Sequence, residues 1–307
     1  MNRLLKIGTR ESKLALWQTE YVRASLKRVF PELECTVHCI KTLGDRQPDL
    51  NLLENQGKGV FCSELEQALQ RGEIDLAVHS VKDLPGQLAD GLVLASFLKR
   101  EDPRETLVAR DGLSLSDLPP GAVIGTSSIR RQVQLANIRP DLRFEPIRGN
   151  VETRIRKVLD GQYDATILAL AGLRRLGLEH YITQVFELSE MVPAPGQGCI
   201  GVEIREDDGE LAALLRQISD VETETVVRAE RAFLKGMGGH CRLPYGAYGV
   251  LKEGELELTG MFGEREYLSM MTLKAMPAEA EILGARLAEA LLEGKRDEPC
   301  YPVTYAC

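Results

Sequence analysis

The chain has 307 residues, 44% hydrophobic and 27% charged, enough for two or three domains with substantial cores. A formal net charge of −8 and only 5% aromatic residues exclude a general nucleic-acid binder, which needs basic surface and stacking rings. No apolar run reaches membrane-spanning length, and the chain enters Leu4-Leu5-Lys6-Ile7-Gly8 without a secretory or transit segment, so a cytoplasmic protein is expected. Residues 4–9 read as a buried strand ending in Gly8-Thr9-Arg10. Ser12 then caps a helix reaching about Val29, stopped by Pro31. Leu14, Trp17 and Tyr21 line one face of it, which places Trp17 in the core. A strand follows at 34–41. Its alternation puts Cys35 and Cys39 in a core and His38 on the opposite face, which argues against a metal site built from the three. Seven cysteines without a C-x-x-C pair suit free thiols in a reducing compartment.

The glycine-rich stretch Asn55-Gln56-Gly57-Lys58-Gly59 reads either as a lid carrying a lysine or simply as a loop. A helix at about 63–71 leads to the strand 75–80, which runs into Val81-Lys82-Asp83-Leu84-Pro85. Strands alternating with helices imply parallel β-α-β units, whose ligands sit beyond the carboxyl ends of the strands; Lys82 and Asp83 fall there. Two echoes suggest an internal duplication. Ile7-Gly8-Thr9 recurs as Ile124-Gly125-Thr126, and the helix-to-strand junction 71–77 recurs at 160–166. They predict two similar α/β lobes facing each other across a cleft. Residues 1–98, completed by 199–218, are assigned to the first lobe, and 103–192 to the second. Pro193 through Gly198 form the return hinge, and 221–307 a smaller α+β domain of helix, three β segments and helix.

Between Gly125 and Arg156 the sequence concentrates seven arginines in an acidic protein. Arginine's planar fork binds carboxylate or phosphate bidentately, and Ser127-Ser128 supplies a helix N-cap with its orphan N–H groups. Arg139, Arg143 and Arg156 are assigned to solvated helix faces. Arg130-Arg131 at a helix start and Arg148 before Gly149-Asn150 are better placed to bind a polyanion. Gly196-x-Gly198-x-x-Gly201 matches a dinucleotide fingerprint in letters only, since a strand follows it and a Pro-rich hinge precedes it. There is no Walker loop and no G-x-S-x-G elbow, so the arginines point to small-molecule carboxylates. Asp83, a carboxylate among cations, suits a proton shuttle or the stabilisation of a cationic intermediate, with a surface salt bridge as the plain alternative. Cys241, in Gly238-Gly239-His240-Cys241-Arg242-Leu243-Pro244, reads as a supported thiolate or as an inert buried cysteine.

Taken together, these pieces resemble the porphobilinogen deaminase (hydroxymethylbilane synthase) family over essentially the whole chain. The matching stretches include Thr9-Arg10-Glu11-Ser12, Leu16-Trp17-Gln18, Gly57-Lys58-Gly59, 77–85, Glu101-Asp102-Pro103-Arg104, 125–131, 147–151, 169–173, 193–198 and the Cys241 loop. The resemblance implies two periplasmic-binding-protein-like (type II) lobes around a cleft plus the smaller α+β domain. It implies a transferase that joins four porphobilinogen units head to tail, releasing ammonia at each addition, before hydrolysis frees hydroxymethylbilane. It also implies a dipyrromethane cofactor, serving as primer, held as a thioether through Cys241, and a monomeric enzyme. By the same resemblance Asp83 is the catalytic carboxylate. The groups that grip acetate and propionate map onto Arg10, Ser12, Lys58, Lys82, Thr126 and Ser128, and onto Arg130, Arg131, Arg148, Arg154 and Arg175; Gln18 and Ser80 sit near the same cleft. No metal is implied, and neither nucleic acid nor membrane is an expected partner.

Four residues depart from the family pattern. His240 and Arg242 flank the attachment cysteine, Leu43 replaces an arginine, and Pro195 stands in the hinge. His240 in place of glycine is expected to assist thiolate formation during primer attachment. The competing readings are a non-catalytic binding protein for a small polycarboxylate and an unrelated transferase using Cys241 as an ordinary nucleophile.

Overall fold

The computed structural model describes residues 4–42, 62–239, 244–264 and 267–294. Its first sheet has the order β2-β1-β3-β10-β4, formed by Cys35–Cys39, Leu5–Thr9, Leu76–Ser80, Ile200–Arg205 and Leu92–Phe97. β1 is parallel to β2 and β3, whereas β10 runs antiparallel to both β3 and β4. The second sheet repeats this plan in the order β7-β6-β8-β5-β9, from Arg143–Glu145, Val123–Gly125, Ala165–Ala169, Glu105–Ala109 and Gln184–Val185. Again the first strand of the unit is parallel to its two neighbours, and the inserted strand β5 is antiparallel to β8 and β9. Two lobes of one topology, each holding a strand supplied from across the hinge, are what the sequence echoes imply. Gly8 and Gly125 end equivalent strands for one reason. A Cβ on Gly8 would lie 2.3 Å from Ile74 Cδ1, and one on Gly125 would lie 3.0 Å from the Tyr163 ring.

Helix α1 (Lys13–Val29) begins where Ser12 accepts a hydrogen bond from the Ala15 amide and ends just before Pro31. Helices α2 (Ser63–Gln70) and α6 (Gly209–Arg216) also belong to the first lobe. Helices α3 (Ile129–Ile138), α4 (Val151–Leu159) and α5 (Leu170–Leu176) belong to the second. Leu5, Ile7, Val22, Leu26, Val78, Val202 and Leu215 form one core; Leu107, Ile124, Leu135, Ile167 and Phe186 form the other. The third unit is a meander of β11 (Tyr245–Lys252), β12 (Glu255–Glu264) and β13 (Tyr267–Ala275). It is covered by α7 (Val221–Gly236) and α8 (Ala280–Gly294), which pack on each other. Its core of Phe233, Leu258, Phe262 and Leu287 takes in Val81 and Phe97 of the first lobe.

Three expectations are corrected. Trp17 is 38% exposed rather than core, because α1 turns that face toward the cleft mouth, where the indole stacks on Tyr21 at 5.4 Å. Cys35 is only half-buried and Cys39 is exposed, because β2 is an edge strand covered on one side by β1 alone. Arg139 ends α3 but does not sit on an open helix face. Its guanidinium donates to the carbonyls of Leu115 and Leu118 and pairs with Asp141. Arg143 lies on strand β7, where it donates to the Gly121 carbonyl, and not on a helix.

One buried carboxylate ties the three units together. Glu230 of α7 pairs with Arg100 at 2.6 Å and accepts the amides of Gly196 and Gly249. Arg100 lies in the outward crossing between lobes, Gly196 in the return crossing and Gly249 in β11.

Candidate active site

A cleft of about 680 Å³ opens where the carboxyl ends of both sheets' parallel strands converge. β1 delivers Arg10 and Ser12, and β3 runs into a single 3₁₀ turn, Val81–Asp83, that carries Lys82 and Asp83. β6 delivers Ser128 and the start of α3. The turn after β7 delivers Arg148 and Asn150, which caps α4 and so places Arg154. β8 passes straight into α5 with Arg175. Each side chain thus enters at the position that parallel α/β topology reserves for ligands. Among the described residues the lining includes the cations Arg10, Lys13, Lys82, Arg130, Arg131, Arg148, Arg154 and Arg175, against the carboxylates Glu11, Asp83 and Glu152. The excess of positive charge is concentrated here in a protein of net charge −8.

These cations are held differently. Arg130 and Arg131 are buried and share Glu105, which is fully enclosed. Arg130 Nη2 lies 2.5 Å from one carboxylate oxygen and Arg131 Nη2 lies 2.7 Å from the other. Each also donates to a carbonyl, Arg130 to Val192 at 2.7 Å and Arg131 to Ile167 at 2.8 Å. Burial alone would push the Glu105 carboxyl up, but Arg131 and Arg130 outweigh it and hold it well below the usual carboxylate range. Arg175 donates to the Gly198 carbonyl at 2.6 Å and sits 5.7 Å from the centre of the Trp17 ring. Arg154 Nε donates to the Gly149 carbonyl; burial first, then Arg131, lowers its guanidinium to about 10. Burial likewise brings Lys82 down to about 8, opposed by Asp83, while its ammonium donates to Gln197 at 3.2 Å.

Asp83 is exposed to the cleft beside Lys82. Gln18 Nε2 donates to Ser80 Oγ at 2.7 Å, fastening α1 to the end of β3. Thr126 is buried outside the lining, where its hydroxyl accepts the Ser128 amide. Ser128 occupies the N-cap of α3 but makes no side-chain capping bond. Pro195 is buried against the cleft. Lys58, Cys241, His240, Arg242 and Leu43 lie outside the described residues. The chain leading to position 241 is nonetheless seated close by, for the Gly86 amide meets the Gly239 carbonyl at 3.5 Å. A Cβ on Gly86 would come within 3.0 Å of Gly239 Cα.

Sequence reasoning missed Glu105, Gln197 and Glu230. Gln197 is fully buried and bridges Lys82 to the carbonyl of Pro103, while Arg100 donates to its own carbonyl. Gln197 does stand inside the hinge motif, which was a usable signal. Glu105 and Glu230 had none, since their partners are 25–26 and 130 residues away.

Residues 5–213 match the family model described as porphobilinogen deaminase, dipyromethane cofactor binding domain, and 225–293 match the porphobilinogen deaminase C-terminal domain. A porphobilinogen deaminase from Brevibacillus brevis is 46% identical over 288 residues, covering 94% of this chain and 93% of that one. One from Roseiflexus castenholzii is 47% identical over 294 residues, covering 95% and 97%. Among solved structures, the periplasmic aliphatic sulphonate binding protein SsuA from Escherichia coli aligns with a TM-score of 0.45 at 12% identity, covering 96% of this chain and 89% of that one.

Proposed function

The chain belongs to the porphobilinogen deaminase family, and from that premise we propose how its cleft performs the reaction. The protein is a transferase that joins four porphobilinogen molecules head to tail, with loss of ammonia, onto a covalent dipyrromethane, and releases hydroxymethylbilane by hydrolysis. The observation that carries the site assignment is the cation-lined cleft with Asp83 exposed beside Lys82. Each porphobilinogen brings two carboxylates, so the primer brings four and every addition adds two more. Arg10, Lys82, Arg148, Arg154 and Arg175 line the cleft as partners for them, with Ser12 and Ser128 as hydroxyl donors. Arg130 and Arg131, locked on Glu105, act as fixed positive walls. Thr126 supports Ser128 from behind.

When bound, the dipyrromethane supplies the terminal pyrrole to which each new unit is joined. Asp83 accepts the pyrrole N–H and so stabilises the cationic azafulvene that forms from porphobilinogen as ammonia departs, and then takes up the proton shed by the pyrrole carbon that is joined. Gln18 and Ser80, bonded to each other, keep α1 at a fixed distance from the Asp83 turn. Cys241 is the attachment point, as a thioether. The contact of Gly239, two residues earlier in sequence, with Gly86 just after Asp83 supports this. Lys58 serves as a further carboxylate contact. A cytoplasmic monomer without nucleic-acid or membrane partners completes the reading.

The deciding experiment is the denatured intact mass of the wild type beside Cys241→Ser. An excess of two linked pyrrole units in the wild type and none in the variant is expected. A wild-type mass that stays unmodified after incubation with porphobilinogen refutes the reading.

A further inference from the structure

Behind the cleft lies a group of ionisable side chains that this reaction scheme leaves idle. His79 of β3 is buried, and its Nε2 lies 2.8 Å from Glu203 Oε2; Glu203, on β10, is wholly enclosed. The register pairs Gly201 with His79, so Glu203, two residues on, faces the same side of the sheet. The second oxygen of Glu203, Oε1, has no hydrogen-bond partner among the described residues, and neither has Nη1 of the nearby Arg231. Glu66 and Cys62 at the start of α2 complete the group, the thiol bonded to the Glu66 carboxylate; burial raises both above their ordinary values.

A side pocket of about 60 Å³ joins this group to the cleft. It is lined by His79, Cys62, Ser80, Gln18, Arg10 and Asp83. That is room for one or two waters, at about 30 Å³ each, with several polar partners.

We propose that His79 is a proton-relay residue that clears protons from Asp83 through water in this side pocket, supported from behind by Glu203. The proposal rests on Asp83 being the proton-handling carboxylate. Each addition forms one carbon–carbon bond and breaks the carbon–nitrogen bond of the aminomethyl group. It also frees one proton from the pyrrole carbon that is joined. The aminomethyl group arrives as an ammonium and departs as neutral ammonia, so the proton from the pyrrole carbon is left on Asp83, which must be discharged to solvent before the next unit arrives. His79 Nε2 is engaged by Glu203, so Nδ1 is the nitrogen that accepts the proton from pocket water. The Glu203 carboxylate stabilises the imidazolium until the proton returns to solvent. Of the other charged groups around the ring, Asp83 and Glu66 favour this charge, and Arg10 and Arg231 oppose it.

The test compares wild type with His79→Gln and Glu203→Gln after their masses show loaded primer. We expect turnover at neutral pH to fall roughly ten-fold in His79→Gln. The acid limb of the pH–turnover profile should disappear and the solvent deuterium isotope effect should rise. A loaded His79→Gln that keeps the wild-type acid limb overturns the relay while leaving the deaminase reading intact. An unloaded wild type overturns both. Where the variants do not fold, the proton inventory of wild-type turnover in H2O/D2O mixtures decides the matter. A relay through pocket water and His79 gives a curved inventory with more than one proton in flight, and a linear inventory overturns the proposal.

Discussion

Replacing Glu105 by glutamine keeps the volume and removes the one negative charge, itself fully enclosed, that Arg130 and Arg131 share. Arg130 and Arg131 would then share a neutral amide while keeping their carbonyl bonds to Val192 and Ile167. Breaking a buried pair by removing one partner costs about 3–5 kcal/mol, because the remaining charge stays desolvated. The retained carbonyl bonds and the partial opening of both arginines to the cleft place the cost near the lower figure. At about 2–4 °C per kcal/mol for a chain of this scale, the melting transition should fall by roughly 6–12 °C. The sign of the pH dependence follows from the same geometry. The Glu105 carboxyl is held below its ordinary value in the folded protein, so its contribution is complete above the unfolded value of about 4.3. It is lost as the pH falls through the folded value. Differential scanning calorimetry of wild type and Glu105→Gln between about pH 2 and 8 measures both effects, the pH dependence showing below about pH 4. A shift under about 2 °C at pH 7 would mean that the arginines are stabilised by cleft water and not by Glu105.

Other outcomes are equally specific. Asp83→Asn should bind primer and porphobilinogen but lower single-turnover rates by about 10²–10⁴-fold, read by rapid quench; a loss under ten-fold removes Asp83 from proton transfer. Lys82 loses its charge as the pH rises through about 8, so the KM for porphobilinogen should climb above that pH in the wild type and stay flat in Lys82→Gln. Gly198→Ala should destabilise the protein by more than about 2 kcal/mol in urea titration. Residue 198 has φ +84°, and an added Cβ would lie 2.3 Å from the backbone oxygen of Glu101, which no rotamer change relieves.

Much of the fold was legible because its signals are local. Ser12 and Pro31 bracket α1, and the Gly-Thr echo exposes the repeated unit, since a strand end pressed against its neighbours needs glycine in both lobes. The position of the cleft followed from topology. What the sequence hid was the use made of each arginine. Arg130 and Arg131 looked like ligand-binding groups, yet both are clamped by a glutamate with no motif around it. Trp17 looked like core because helical spacing reports that a face is covered without saying by what. Here it is covered in part by Arg175, from the opposite lobe. His79 and Glu203 stayed unlinked because strand order alone makes them neighbours.

The return of β10 to the first lobe bears on how the chain is made. β10 lies between β3 and β4, so the first sheet stays split into two pieces until residues 200–205 have been synthesised. The second sheet draws only on residues 105–185 and is available earlier. At ribosomal speeds of about 5–20 residues per second, the N-terminal half waits roughly 5–20 s with the edges of β3 and β4 open. The later-born lobe therefore closes first, and the earlier-born one is finished by a strand that must come back across the hinge. Chaperone demand during translation should be greatest in that interval.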